Sequence, residues 1–294
     1  MKKISLIVLI FSNAVSANLK EINIVYGVDN RMEVYEANEV AQKIAKSTAG
    51  MIMTSSMIDL GVNIMLPPSP ISQTHGLCKD ERFSDQPTSL SCSGFLVGED
   101  LLVTAGHCIR DESRCQNVSW VFDFKIDSKT NRADIIISKE NVYKCKEIIE
   151  SKLVFLENDI KDYALIRLDR SVPNRKPLKF RKTGKIENNA LVTVIGHPSG
   201  LPMKVTTDGQ VYNNLAEGFF VTNLDTFGGN SGSPVFNSET GLVEGILVRG
   251  QKDYVKEKEC KRVNVEPEDS VEKFFAGEAV SRITDLNSLM KMDL

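Results

Sequence analysis

The chain has 294 residues, of which 41% are hydrophobic and 26% charged, and its formal net charge is −3. This length allows one large or two small domains, and the composition is that of a soluble globular protein. A near-neutral chain without a basic stripe lacks the electrostatic signature of a nucleic-acid-binding protein, so no nucleic-acid partner is predicted.

The N-terminus has the pattern of a secretory signal peptide. Two lysines precede the apolar run Ile4–Phe11, which is too short for a membrane span of about 20 residues. Val15 and Ala17 fit the −3 and −1 positions of a cleavage site, so residues 1–17 are predicted to be removed after Ala17. Loss of the two lysines would change the net charge from −3 to −5. A secreted or periplasmic protein without a membrane span is therefore predicted.

Residues 18–75 differ from the rest of the chain. Helical spacing of apolar residues covers Val34–Ala45, and three prolines then interrupt regular structure before His75. This segment is interpreted either as the pro-segment of a zymogen or as a helical and irregular N-terminal arm packed on the main domain.

From Cys92 onwards, short apolar runs predict β-strands. The runs are GFLVG, LLVTAG, SWVFDFKI, ADIIIS, YALIRL, ALVTVIG, GFFVTNL and GLVEGILVRG, with Gly, Asn, Asp or Pro between them. The Lys-, Arg- and Pro-rich stretch Ser171–Lys185 looks like a bridge between two β units. An all-β fold with units at 76–180 and 181–294 is predicted, and helical spacing over Val280–Met290 predicts a C-terminal helix.

Three short segments carry residues suited to acyl-transfer chemistry. His107 follows the apolar run LLVTAG, and Asp162 directly precedes the strand-like YALIRL, unlike its neighbours Asp159 and Asp169. Each of these two residues taken alone is more often structural. Ser231 lies in the glycine-rich turn GGNSGSP, where it needs a histidine as base and an acid to orient that histidine. The N–H groups of Gly229 and Ser231 are candidates for an oxyanion hole.

The motifs TAGHC, DYALIRL and GNSGSP, in this order, resemble the active-site motifs of the trypsin-like (chymotrypsin-fold) serine peptidases. The resemblance covers about half of the chain, from Cys92 to Gly250. It implies two six-stranded antiparallel β-barrels with the active site between them. His107 and Asp162 would come from the first barrel and Ser231 from the second, as a catalytic triad.

The motifs also depart from the commonest family pattern. Asn230 stands where animal enzymes have an aspartate that pairs with the new N-terminus, so that activation switch is not predicted. This form resembles the bacterial branch that includes glutamyl endopeptidases. Val248 stands where the family usually has a serine that supports the catalytic aspartate.

Six cysteines and an export signal favour disulfides. None of them forms a CxxC pair, so no metal site and no cofactor are predicted. The resemblance implies a Cys92–Cys108 disulfide around the histidine loop. The other pairings stay open, with a preference for Cys115–Cys145 and Cys78–Cys260.

Specificity is predicted from four residues that the resemblance places in the substrate pocket: Asp225, Thr226, Val248 and Gly250. Asp225, six residues before Ser231, would lie at the pocket base and favour cleavage after Arg or Lys. Thr226 matches the glutamyl branch instead, whereas Leu247 replaces the histidine of that branch. Glutamyl endopeptidase-like specificity is therefore the alternative.

The predicted function is that of a secreted, monomeric serine endopeptidase that hydrolyses protein or peptide substrates through an acyl-enzyme. His197 is a second possible base, interpreted as structural or substrate-contacting, and His75 is interpreted as a surface residue. A secreted peptide-binding pseudo-enzyme is a further alternative. An esterase of the α/β-hydrolase kind is contradicted by the order His, Asp, Ser.

Overall fold

A computed structural model describes residues 25–156, 159–250, 252–266 and 277–294, and the predicted signal peptide lies outside them. The strands up to residue 168 are β1 (Val25–Tyr26), β2 (Arg31–Glu33), β3 (Thr48–Met53), β4 (Ile58–Asp59), β5 (Asn63–Met65), β6 (Cys92–Leu96), β7 (Leu101–Thr104), β8 (Val118–Phe122), β9 (Ile126–Asp127), β10 (Arg132–Ala133), β11 (Ile136–Ser138), β12 (Val142–Leu156) and β13 (Asp159–Leu168). The later strands are β14 (Leu191–Gly196), β15 (Lys204–Asn213), β16 (Phe219–Thr222), β17 (Pro234–Asn237), β18 (Val243–Arg249), β19 (Tyr254–Glu257), β20 (Cys260–Val263), β21 (Val265–Glu266) and β22 (Glu278–Arg282).

Helices are short in the described ranges. They are α1 (Glu39–Ala45), α2 (Ile71–Thr74), α3 (Glu112–Asn117) and α4 (Asn287–Met290), with 3₁₀ turns at Val34–Glu36, Thr54–Ser56, Lys139–Asn141, Pro198–Gly200 and Ile283–Asp285. None of the helices in these ranges is long and apolar enough to cross a membrane.

Two antiparallel barrels form the body of the protein. The first closes in the order β12-β13-β7-β6-β3-β8. The second runs β14-β17-β18-β22-β16-β15 and closes through pairing of β14 with β15, while β2 adds to the outer edge of β15. Each barrel therefore has six strands, which confirms the predicted all-β, chymotrypsin-like fold class.

The first barrel begins earlier in the chain than predicted. Thr48–Met53 forms β3 and pairs with both β6 and β8, so the boundary predicted at residue 76 lies too late. Met51 and Ile52 are buried in this strand. The sequence analysis assigns this stretch to the N-terminal arm, because Ala49 and Gly50 weaken its β propensity.

Helices are shorter than the apolar spacing predicted. In the N-terminal segment, α1 begins after Asn38, whose side chain accepts a hydrogen bond from Ala41 N–H at 2.9 Å. At the C-terminus, Val280 lies in β22 instead of a helix, because that strand pairs with both β16 and β18. Sheet pairing therefore overrides the 3.6-residue periodicity at this end of the chain.

The N-terminal segment before α1 is built into the second barrel. Through β2 it pairs with β15, and Arg31 is buried with its guanidinium 3.8 Å from the ring centre of Phe227. Asp29 pairs with Arg31 at 2.7 Å. Residues 25–33 therefore form part of the folded body next to the loop that precedes Ser231.

The structure contains three disulfides: Cys78–Cys260, Cys92–Cys108 and Cys115–Cys145. These are the pairings that the sequence analysis favoured. Cys78–Cys260 joins residues separated by 182 positions, so it restricts the unfolded chain more than the two shorter loops do. It also attaches the β19–β20 hairpin (Tyr254–Val263) to the segment between β3 and β6 of the first barrel.

Candidate active site

His107 lies in a tight turn directly after β7. In this turn Cys108 N–H donates to Ala105 O and Ile109 N–H donates to Gly106 O, both at 3.1 Å. A side chain at Gly106 would place its Cβ 2.2 Å from the carbonyl oxygen of Lys152. Glycine at this position therefore lets the β12–β13 hairpin approach the histidine turn closely.

Asp162 and His107 are in direct contact. The Oδ1 atom of Asp162 accepts a hydrogen bond from His107 N–H at 2.8 Å, and Oδ2 lies 2.6 Å from His107 Nδ1. Asp162 is fully buried, whereas 25% of the His107 side chain is exposed. A carboxylate on Nδ1 fixes the tautomer that leaves Nε2 as a proton acceptor.

Ser281 supports the aspartate from the second barrel. Its Oγ atom accepts a hydrogen bond from Asp162 N–H at 3.1 Å, and Ser281 is fully buried in β22. The family serine expected at position 248 is replaced by Val248, which is buried in the hydrophobic core. The role of Ser281 was missed because a lone serine 119 residues from Asp162 gives no signal in the sequence.

Ser231 lies in a turn that requires glycine on both sides. Gly229 and Gly232 have φ angles of 92° and 90°, in the region that other residues rarely adopt. A Cβ on Gly232 would lie 2.0 Å from Ser93 O. The turn thus packs directly against β6 of the first barrel.

Ser93 holds this turn in place. Its N–H donates to Ser231 O at 2.8 Å and its hydroxyl donates to Gly229 O at 2.9 Å. Because β6 pairs with β7, which leads into His107, these bonds set Ser231 beside the histidine turn. The sulfur of Cys108 lies 3.8 Å from Ser231 O, which shows the same proximity.

The backbone around Ser231 offers two candidate oxyanion donors. Within the described residues, neither Gly229 N–H nor Ser231 N–H donates to an acceptor. Their neighbours are occupied: Asn230 N–H donates to Phe227 O at 2.9 Å and Gly232 N–H donates to Leu247 O at 2.7 Å. The two donors predicted from the sequence are therefore available to a ligand.

A cavity of about 540 Å³ adjoins Ser231. It is lined by Thr226, Phe227, Gly228, Ser231, Leu247, Arg249, Gly250, Lys252, Asp253, Tyr254, Lys256 and Lys261. Two of the four residues predicted to bind substrate, Thr226 and Gly250, therefore line it. Asp225 and Val248 do not.

Asp225 contacts the N-terminal segment instead. Its oxygens accept hydrogen bonds from Tyr26 N–H at 2.9 Å and Asn30 N–H at 3.0 Å. Burial raises the pKa of Asp225 to about 6. The sequence analysis assigned Asp225 to the pocket from its position six residues before Ser231. The backbone donor of Asn30 lies 195 residues earlier in the chain and gives no local signal.

A buried carboxylate that the sequence analysis did not identify lies behind the cavity wall. Glu278 is fully buried at the start of β22, and its Oε2 accepts a hydrogen bond from the hydroxyl of Thr226. A Cβ on Gly250 would collide with the same carboxylate. Glu278 therefore binds Thr226 and lies close against Gly250, the two predicted pocket residues that do line the cavity.

His197 is not placed to act as a base. It is fully buried and stacked on Phe124, and its Nδ1 lies 3.0 Å from Leu201 O. The backbone N–H of His197 donates to Ser93 Oγ at 3.0 Å. His75, by contrast, is partly exposed and makes an edge contact with Tyr254.

The buried position of His197 predicts a pH-dependent stability. Burial lowers its pKa from 6.5 to about 4, so the unfolded chain binds a proton that the folded protein excludes. Its contribution to stability is fully present above pH 6.5 and is lost as the pH falls toward 4, by on the order of 3 kcal/mol. Urea unfolding of a His197→Asn variant should show a correspondingly weaker pH dependence between these values. A His75→Asn variant is the control, and parallel wild-type and His197→Asn curves would contradict the assignment.

Comparison with known proteins agrees with this architecture. A family model described as a trypsin-like peptidase domain matches residues 92–246, just over half of the chain. The chain belongs to this family. Membership implies a serine peptidase, a hydrolase that acts on protein substrates. No curated protein sequence matches the chain.

Two solved structures resemble this trypsin-like peptidase. A Glu endopeptidase in complex with MPD is 14% identical with a TM-score of 0.53, and the match covers 91% of this chain and 97% of that one. The VesB protease of Vibrio cholerae is 12% identical with a TM-score of 0.51, over 88% of this chain and 65% of that one. At such identities the likeness establishes the fold alone.

Proposed function

We propose that the protein is a secreted serine endopeptidase in which Ser231 is the nucleophile, His107 the general base and Asp162 the orienting acid. The observation that carries this proposal is the pair of hydrogen bonds from His107 to the buried Asp162. Ser231 lines the adjoining cavity and is held next to the histidine turn through Ser93.

The mechanism follows from these contacts. His107 Nε2 takes the proton from Ser231 Oγ as the hydroxyl attacks the peptide carbonyl carbon. The N–H groups of Gly229 and Ser231 bind the resulting oxyanion, an effect of about 3–4 kcal/mol per donor. His107 then gives its proton to the leaving amine. In the deacylation step, His107 takes a proton from the water that attacks the acyl-enzyme and then returns it to Ser231 Oγ.

Covalent labelling tests the assignment of the nucleophile. A fluorophosphonate should modify the purified mature protein once, and peptide mapping should place the adduct on Ser231. A folded protein that is never labelled and cleaves no peptide would instead be the peptide-binding pseudo-enzyme. N-terminal sequencing of the secreted form tests export and cleavage after Ala17, and shows whether a pro-segment is also removed.

The sequence allows two primary specificities: cleavage after Arg or Lys, and cleavage after an acidic residue. Different contacts in the structure support or oppose each of them. Cleavage after Arg or Lys requires Asp225 at the cavity, whereas its carboxylate binds Tyr26 and Asn30 and does not line the cavity. Cleavage after an acidic residue is supported by Arg249, which lines the cavity together with Ser231. We therefore propose the acidic preference.

This choice makes a prediction for two variants. Replacing Asp225 by serine should leave the preferred residue before the scissile bond unchanged, because Asp225 does not reach the cavity. Arg249→Gln should lower kcat/KM about tenfold for a Glu peptide relative to its Gln counterpart, since a charge-assisted hydrogen bond is lost. Profiling on a peptide library measures both. A preference for Arg or Lys that disappears in Asp225→Ser would restore the basic specificity.

A further inference from the structure

The cavity beside Ser231 has an excess of positive charge. Arg249, Lys252, Lys256 and Lys261 line it, and Asp253 is the single acidic residue among the described residues that line it. The carboxylate of Asp253 accepts from Gly228 N–H at 3.0 and 3.2 Å, which directs it into the loop before Ser231. The described wall therefore presents positive charge to a bound ligand, although the net charge of the whole protein is −3.

Three of these cations lack an acidic partner within the part of the chain that the structure describes. Among the described residues Arg249, Lys256 and Lys261 form no ion pair, although most arginines of this protein do. Those in ion pairs are Arg31, Arg82, Arg167, Arg170, Arg175, Arg181 and Arg262. These three side chains thus offer positive charge to a ligand in the cavity that also contains the candidate nucleophile.

Lys256 and Lys261 face each other across the β19–β20 hairpin. They are direct partners in its register, and side chains in such positions lie on one face about 5 Å apart. Like charges in this arrangement destabilise a hairpin. An anion bound between them removes that repulsion.

The hairpin is held firmly enough to present these lysines. The Cys78–Cys260 disulfide fixes one strand, and Lys261 N–H donates to Gly76 O at 2.8 Å. Arg262 forms ion pairs with Asp80, Glu81 and Glu257, of which Asp80 is 3.0 Å away. These ion pairs occupy Asp80, Glu81 and Glu257, whereas Lys256 and Lys261 line the cavity.

We propose that the cavity binds two acidic side chains of one substrate, the first at Arg249 beside the scissile bond and the second at the Lys256–Lys261 pair. The inference rests on the proposed endopeptidase function and defines its substrates as proteins with acidic segments. Leu247 O binds Gly232 N–H at 2.7 Å, so the strand that ends in Arg249 runs beside Ser231. The hairpin forms another part of the same wall.

The test compares peptides that differ in one charge. A fluorogenic peptide carries Glu before the scissile bond, and a second Glu or Gln is placed at each of the three preceding positions in turn. At one of these positions the wild type should cleave the two-Glu peptide about tenfold faster than its Gln counterpart. Lys256→Gln/Lys261→Gln should abolish that difference, so that the ratio of the two cleavage rates falls to about one. High salt should weaken the preference in the wild type.

Two controls separate this inference from the proposed function. Lys144→Gln/Lys146→Gln removes two exposed lysines from β12 and should retain the wild-type preference. Fluorescence anisotropy of the two-Glu peptide with Ser231→Ala measures binding without cleavage, and adding the hairpin substitutions should weaken it about tenfold. The inference is wrong if the hairpin variant keeps both the preference for the two-Glu peptide and the wild-type affinity for it. Failure of Ser231 labelling overturns the peptidase assignment and leaves the binding measurement intact.

Discussion

Replacing Ser231 by alanine should lower kcat/KM by a factor on the order of 10⁶, which is the scale seen when the nucleophile of a serine peptidase is removed. The proposed acyl-enzyme cannot form without the hydroxyl, and the hydrogen bonds that hold the turn use backbone atoms of Ser231 and Gly229. The fold should therefore be retained. Steady-state hydrolysis of a library-derived peptide measures the loss, and circular dichroism with thermal unfolding checks the fold.

Ser238→Ala is the matched control, because this serine is exposed after β17 and also belongs to the second barrel. It should keep full activity and full labelling by a fluorophosphonate. Wild-type rates in a folded Ser231→Ala protein would refute the nucleophile assignment.

Replacing Asp162 by asparagine should lower kcat about 10⁴-fold with little change in the fold. Asparagine keeps one acceptor for His107 N–H, but an amide that donates toward Nδ1 leaves the wrong ring nitrogen protonated. Nε2 is then no longer the proton acceptor for Ser231. Because Asp162 is completely buried, solvent cannot replace the missing carboxylate.

Asp169→Asn tests whether any aspartate near this strand has the same effect. Asp169 lies just beyond the other end of β13, is partly exposed, and accepts from Lys144 N–H at 3.0 Å, a bond that asparagine can keep. It should retain near-wild-type kcat. Equal losses in the two variants would show that Asp162 acts through the stability of the strand and not through His107.

The strands and the histidine–aspartate pair were predictable because their signals are local. LLVTAGHC contains β7, which ends three residues before His107. DYALIRL lies within β13, which begins three residues earlier than predicted, so that Asp162 is part of the strand. The long strand β12 was not predicted because exposed charged residues interrupt its apolar pattern. The burial of its residues changes along the strand, and its pairing with β13 contains two register shifts.

The residues that shape the pocket were less accessible to prediction because their partners are distant in the chain. Asp225 meets Tyr26 across 199 positions, and Thr226 meets Glu278 across 52. Such contacts depend on how the barrel closes and on where the N-terminal segment packs. A motif that predicts the chemistry of Ser231 does not determine which neighbouring carboxylate faces the cavity.

Ser93 shows how the two halves of the enzyme are coupled mechanically. Besides its bonds to the Ser231 turn, its carbonyl accepts from Thr104 Oγ1 at 2.7 Å and its hydroxyl accepts from His197 N–H. Thr104 ends the strand that leads to His107, so a single residue joins the Ser231 turn of one barrel to the histidine turn of the other. A substitution at Ser93 would therefore be expected to disturb the Ser231 turn and the histidine turn together.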